Sequence, residues 1–248
     1  MYAERAGSGG PPLTLVHGSL APGWETWSEQ RELANDYSLV VLHRPGYPPN
    51  SPLQSNDFNR QATDVAAMLE AGTHLVGHSY GAVVALLAAA AAPARLASLT
   101  LIEPAAFGVA RGHPAVDELV ERMTPIVTDR AQSRRTFLLR FLEALGSSEP
   151  LPDPLPPGLE ARAAAAMAER PPWEATIPFE ELRRAELRVL IVSGGHSPAF
   201  DAVGDVIEAE LGAARATIPG NGHEVQALGE PFNQRLRQFM GDALNANA

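Results

Sequence analysis

Residues 73 to 92 read THLVGHSYGAVVALLAAAAA, and the order of residue types along them decides the fold. His74 to His78 form an apolar run of the length of a buried strand. Gly77-His78-Ser79-Tyr80-Gly81 then interrupts it, and small, apolar, helix-forming residues continue almost unbroken to Pro93. Strand, tight turn and helix follow in direct succession. A serine at the apex of such a turn needs glycine two residues before it and two after, because a side chain there would collide with the neighbouring strand and helix as the backbone reverses.

The chain on either side repeats this rhythm. Leu13 to His17 (LTLVH), Ser38 to His43 (SLVVLH), Ser98 to Ile102 (SLTLI), Leu187 to Val192 (LRVLIV) and Arg215 to Ile218 read as strands. Trp27 to Asn35, Phe58 to Gly72 and a closing segment from Pro231 to Ala243 read as helices. Strands alternating with helices imply a mainly parallel sheet covered on both faces, an α/β fold with its functional groups at the carboxyl ends of the strands. Residues 1 to 10 read as a flexible start too short for a pair of edge strands.

GHSYG, with a strand before it and a helix after it, resembles the nucleophile elbow of the α/β-hydrolase family. The resemblance implies a core of residues 1–106 and 185–248, with a helical cap inserted over 107–184. That stretch holds no convincing strand; Pro114 to Arg122, Thr128 to Leu145 and Leu159 to Arg170 read as helical, around the proline-rich LPDPLPPG. Phe137, Leu138, Phe141, Leu142 and Trp173 would supply an apolar roof.

Composition excludes several functions. At 248 residues the chain is long enough for one α/β domain with an insertion. A net charge of -10 and the absence of any basic run argue against nucleic acid as a partner. The apolar stretch Ala82 to Ala92 is too short to span a membrane and the N-terminus lacks the apolar core of a signal peptide, so a cytoplasmic protein is expected. No cysteine is present, and all 19 basic residues are arginine, which removes thiolate metal sites, cysteine nucleophiles, Schiff-base chemistry and a lysine-bearing phosphate loop. No metal site and no cofactor are expected. No residue pattern bears on oligomeric state.

A serine hydroxyl is a poor nucleophile at neutral pH and needs a base within hydrogen-bond reach. His223, in Gly220-Asn221-Gly222-His223 between the last strand and the closing helix, stands where the family carries its base. His17, His74 and His78 sit at strand ends, where packing or a backbone hydrogen bond is the expected role. A carboxylate must orient the imidazole. After LRVLIV the family usually places that acid, but here the loop is Ser193-Gly194-Gly195-His196, with histidine at the expected position. Two acids can replace it: Glu103, directly after SLTLI, and Asp201, on the first turn of a helix. Position favours Glu103, since an acid ending a buried strand points into the site region whereas one at a helix start serves the helix dipole. Certain dehalogenases and the zearalenone-type lactonases carry their acid on this strand. His196 is then expected to be a pocket residue.

For the oxyanion of a tetrahedral intermediate, one donor is the Tyr80 N–H, which opens a helix. The family's HG loop implies the second at Ser19, after His17-Gly18. Trp24 and Trp27 are expected to wall the substrate pocket beside that loop. Together these residues imply a serine hydrolase cleaving a small apolar carboxylic ester or lactone. C–C bond hydrolysis, a non-hydrolytic lyase or cyclisation reaction on the same residues, and a non-catalytic small-molecule receptor are the alternatives.

Overall fold

The computed structural model describes residues 1–146 and 150–246. Seven strands form one sheet: β1 Tyr2–Ala6, β2 Pro12–Val16, β3 Ser38–His43, β4 Thr73–His78, β5 Leu96–Ile102, β6 Val189–Ser193 and β7 Ala214–Thr217. Their spatial order is β1-β3-β2-β4-β5-β6-β7, and every pairing is parallel except β1 with β3. β4 is buried along its whole length at the centre of the sheet, which is why it is apolar without alternation.

Helices cover both faces. On one face lie α1 Phe58–Met68, α2 Tyr80–Ala91 and α7 Pro198–Leu211; on the other lie α8 Glu230–Ala246 and the 3-10 segment Ser28–Asn35. Alternate strand residues divide between these layers: Val16, Leu75, Leu99 and Ile191 face the first, while Leu13, Leu15, Val76 and Val192 face the second. Between β5 and β6 lie α3 Pro114–Thr128, α4 Arg134–Ala144, α5 Pro157–Met167 and α6 Phe179–Arg184. Among the described residues no helix is long and apolar enough to cross a membrane.

Three expectations need correction. The N-terminus is not a loose tail: Tyr2 to Ala6 pairs antiparallel with β3, from Tyr2 against His43 to Ala6 against Leu39. The helix before the elbow ends at Met68 rather than Gly72, because Leu69 turns to an extended conformation. The segment read as one helix from Thr128 to Leu145 is split, since α3 runs on to Thr128 and α4 starts afresh at a cap where the Ser133 hydroxyl accepts from the Thr136 N–H at 3.1 Å.

Candidate active site

Ser79 sits between β4 and α2 with φ 54° and ψ -118°, a conformation that L-residues hold only when their surroundings impose it. Three backbone bonds do so: its N–H donates to Ile102 O at 2.9 Å, and its own carbonyl accepts from Ala82 at 3.0 Å and from Ala105 at 3.2 Å. The flanking glycines are required by close approach. A Cβ on Gly77 would lie 2.6 Å from Gly81 O, and one on Gly81 would lie 2.3 Å from His17 O.

Two other strand ends bring a carboxylate and an imidazole together, and the imidazole lines the same cavity as Ser79. Glu103 follows β5 directly, has φ 45°, and is buried. His223 lies in the loop after β7, its ring between those of His78 and Phe200, with both centroid separations 4.7 Å. His223 Nδ1 is 3.7 Å from Glu103 Oε2. Both atoms are buried with no other partner among the described residues, so each is the other's available hydrogen-bond partner. Such contacts are often long before substrate binds. Glu103 Oε1 accepts from the Gly194 N–H at 2.6 Å. Burial pushes the Glu103 carboxyl up, but the facing His196 and His223 imidazoles and the Gly194 N–H outweigh it and hold the group at about 2.

His196 Nδ1 stands 3.6 Å from Glu103 Oε1. Two imidazoles therefore face the two oxygens of one carboxylate, and that contact raises the pKa of His196 against the opposing effect of burial. The loops carrying the two histidines touch so closely that a Cβ on Gly194 would fall 2.0 Å from Gly222 O. Glu103, His196 and His223 offer ligand atoms within 4.8 Å of one another, as do His78, His223 and Glu224, so a metal ion at either place would occupy His223.

Asp201 is engaged elsewhere. Its carboxylate accepts from the Ser193 hydroxyl at 2.6 Å and lies 3.6 Å from the Arg215 guanidinium. Asp201→Asn is expected to leave kcat unchanged and to cost about 1 kcal/mol of stability, measurable by urea unfolding.

Ser79, Ser19, His196 and His223 line one open cavity of about 480 Å³. A second, narrow one of about 50 Å³ starts at Ser79, Ser19 and Tyr80 and runs between Phe107, Met123, Phe141 and Trp173. A larger hollow of about 640 Å³, bordered by Arg183, Arg188 and Arg235, lies at the amino ends of β6 and β7 and carries neither serine nor histidine.

Trp24 and Trp27 line neither cavity at Ser79. Trp27 is wholly buried with Leu13, Leu15 and Leu33 on the α8 face of the sheet, and Trp24 is half-buried beneath the Arg31 guanidinium, 4.1 Å from its ring. An aromatic near the HG loop in sequence thus enters the opposite layer. Of the expected roof, Phe141, Leu142 and Trp173 border the cavities, whereas Phe137 and Leu138 are spent in helix packing.

His78, expected at a strand end to pack or to make a backbone hydrogen bond, is buried and lowered to about 4 chiefly by burial, and it donates from Nε2 to His223 O at 3.0 Å and so holds the histidine loop. Other contributors were not singled out from the sequence. Beneath the HG loop, Arg44 and Glu169 form a buried ion pair, with Tyr47 donating to Glu169 Oε1 at 2.9 Å. The position of Arg44 just after a strand end was the one available signal; Glu169 had none.

The family model described as Alpha/beta hydrolase family matches residues 15–234. The chain is 30% identical over 266 residues to the dihydrolipoyllysine-residue acetyltransferase component of the acetoin cleaving system of Pseudomonas putida, with 96% of this chain and 66% of that protein covered. It therefore spans just under two thirds of that relative's length. It is 33% identical over 150 residues to the pimeloyl-[acyl-carrier protein] methyl ester esterase of Aeromonas salmonicida, covering 58% of each chain. MenH from S. aureus shares the fold, with a TM-score of 0.74 at 17% identity over 98% of both chains.

Proposed function

The chain belongs to the alpha/beta hydrolase family, and on that premise we propose that it is a serine hydrolase cleaving a carboxylic ester or lactone through an acyl-enzyme on Ser79. One observation carries this reading: Ser79, in a backbone conformation imposed by three hydrogen bonds, shares a cavity with His223, whose Nδ1 faces the buried Glu103 carboxylate. The similarity to an ester-cleaving relative adds support.

In this mechanism Ser79 Oγ attacks the carbonyl carbon while His223 Nε2 takes its proton, and the N–H groups of Tyr80 and Ser19 receive the oxyanion. Collapse breaks the bond to the alcohol, which leaves with the proton held by His223. Water then attacks the acyl-enzyme with His223 as base, releasing the acid and restoring Ser79.

General acid catalysis places the leaving group beside His223, in the open cavity with Asn221 and Glu224. The acyl group then enters the narrow apolar cavity under residues 107–184, which act as a cap. The substrate accordingly combines a short apolar acyl group with a larger or more polar alcohol portion. Trp173→Ala should extend the longest acyl chain turned over without lowering kcat on acetyl esters, as a p-nitrophenyl ester series would record.

The direct test is a fluorophosphonate probe followed by peptide mass spectrometry, with a panel of esters and lactones. A single adduct on Ser79 accompanied by turnover is expected. Folded protein that neither labels nor turns over any ester would instead point to a receptor.

A further inference from the structure

The mechanism above leaves one costly feature unused. Arg44 is fully buried and Glu169 nearly so, and a buried ion pair seldom stabilises a fold more than apolar residues of the same volume. Its hydrogen bonds run toward the HG loop. The Arg44 guanidinium donates to Glu169, to Gln61 Oε1 at 3.1 Å and to Gly18 O at 3.0 Å. Gly18 O lies also 2.6 Å from His17 Nδ1. His17 Nε2 accepts from the Arg44 N–H at 2.9 Å, which leaves the ring proton on Nδ1 and makes that nitrogen a donor to Gly18 O. Burial and the charge of Arg44 keep His17 neutral.

Two donors therefore pin the Gly18 carbonyl. In a trans peptide the C=O and the following N–H point in opposite directions, so a carbonyl held on one side aims the Ser19 N–H to the other. The loop lies against the nucleophile, since a Cβ on Gly18 would be 3.0 Å from Ser79 Cβ. The Ser19 N–H donates to no acceptor among the described residues. Meanwhile the Ser19 hydroxyl donates to Glu169 Oε2 at 2.6 Å.

Given the proposed function, on which this rests, we infer that Arg44 and Glu169 are positioning residues whose ion pair orients the Gly18–Ser19 peptide so that the Ser19 N–H meets the oxyanion. Glu169 comes from the helical insertion, and its backbone is tied to the core by Asn56 N–H to Ala168 O at 2.8 Å and Arg170 N–H to Asn56 O at 2.9 Å. The seating of the insertion thus sets the aim of an oxyanion donor.

The test compares wild type with Arg44→Lys, which keeps the charge but not the fork, and with the double variant Arg44→Gln/Glu169→Gln, which leaves no buried charge should the single variant fail to fold. Each is assayed for kcat and KM on a p-nitrophenyl ester and for inhibition by an alkyl trifluoromethyl ketone, whose adduct with Ser79 carries an oxyanion. The expected result is a loss of about 10- to 100-fold in kcat, a KM within about threefold, and a parallel loss of ketone affinity. Ser19→Ala keeps the N–H and should lose less than Arg44→Lys. Folded variants with unchanged kcat and ketone affinity would overturn the positioning role alone. A wild-type protein that neither labels on Ser79 nor turns over esters would overturn the proposed function and this role together.

Discussion

On the proposed mechanism, Ser79→Ala is expected to remove ester turnover, with kcat falling by about 10⁵- to 10⁶-fold, while thermal unfolding stays where it is in the wild type. The size of the loss follows from the attack step, since without Oγ no acyl-enzyme forms and His223 has no proton to accept. The intact fold follows from the backbone. Every bond that imposes the elbow conformation is made by the Ser79 N–H or carbonyl, and alanine keeps both. The Ser79 hydroxyl makes no hydrogen bond to the described residues, so its removal strands no buried partner. Turnover and melting temperature measured on one preparation decide the matter, and near-normal turnover would move the nucleophile elsewhere.

Glu103→Gln should lower kcat by about 10³- to 10⁴-fold, because a neutral amide neither fixes the Nδ1–H tautomer of His223 nor stabilises the imidazolium formed during attack. It also changes how stability depends on pH. The carboxyl is held at about 2 in the fold against an ordinary value of 4.5. A depressed carboxyl contributes stability that is fully present above its unfolded value and is lost as pH falls from 4.5 toward 2. The wild type should therefore lose about 3 kcal/mol more than Glu103→Gln across that window. Urea unfolding midpoints at pH 6 and at successively lower pH compare the two slopes; parallel slopes would mean that Glu103 is not held ionised by its neighbours.

What was legible in the sequence was local. The elbow is written in two glycines and two hydrophobic runs that need no distant partner, and β2 to β6 are apolar because neighbours cover both their faces. The place of Glu103 beside His223 was legible for a related reason: an acid that ends a buried strand has nowhere to point but the rim of the sheet. Less local features did not show. β1 carries Glu4 and Arg5, and an edge strand half open to water has no apolar run to announce it. Trp24 and Trp27 were aromatic in the right loop, but nothing in their spacing says which face of the sheet a 3-10 segment will seal. Arg44 and Glu169 stand 125 residues apart and look like a loop arginine and a helix-end glutamate until the insertion folds back.

The Asn56 bridge divides the insertion into parts with different tolerance for redesign. The end at residues 168–170 is stitched to the core, with the Tyr80 hydroxyl adding a bond to Arg170 O at 3.1 Å. Changes there would disturb the machinery below. Met123 and Val127 on α3 and Phe141 on α4 border the narrow cavity from helices that share none of these ties. If the narrow cavity takes the acyl group as proposed, a laboratory seeking a different acyl preference has its adjustable surface on α3 and α4, and its fixed frame at the close of α5.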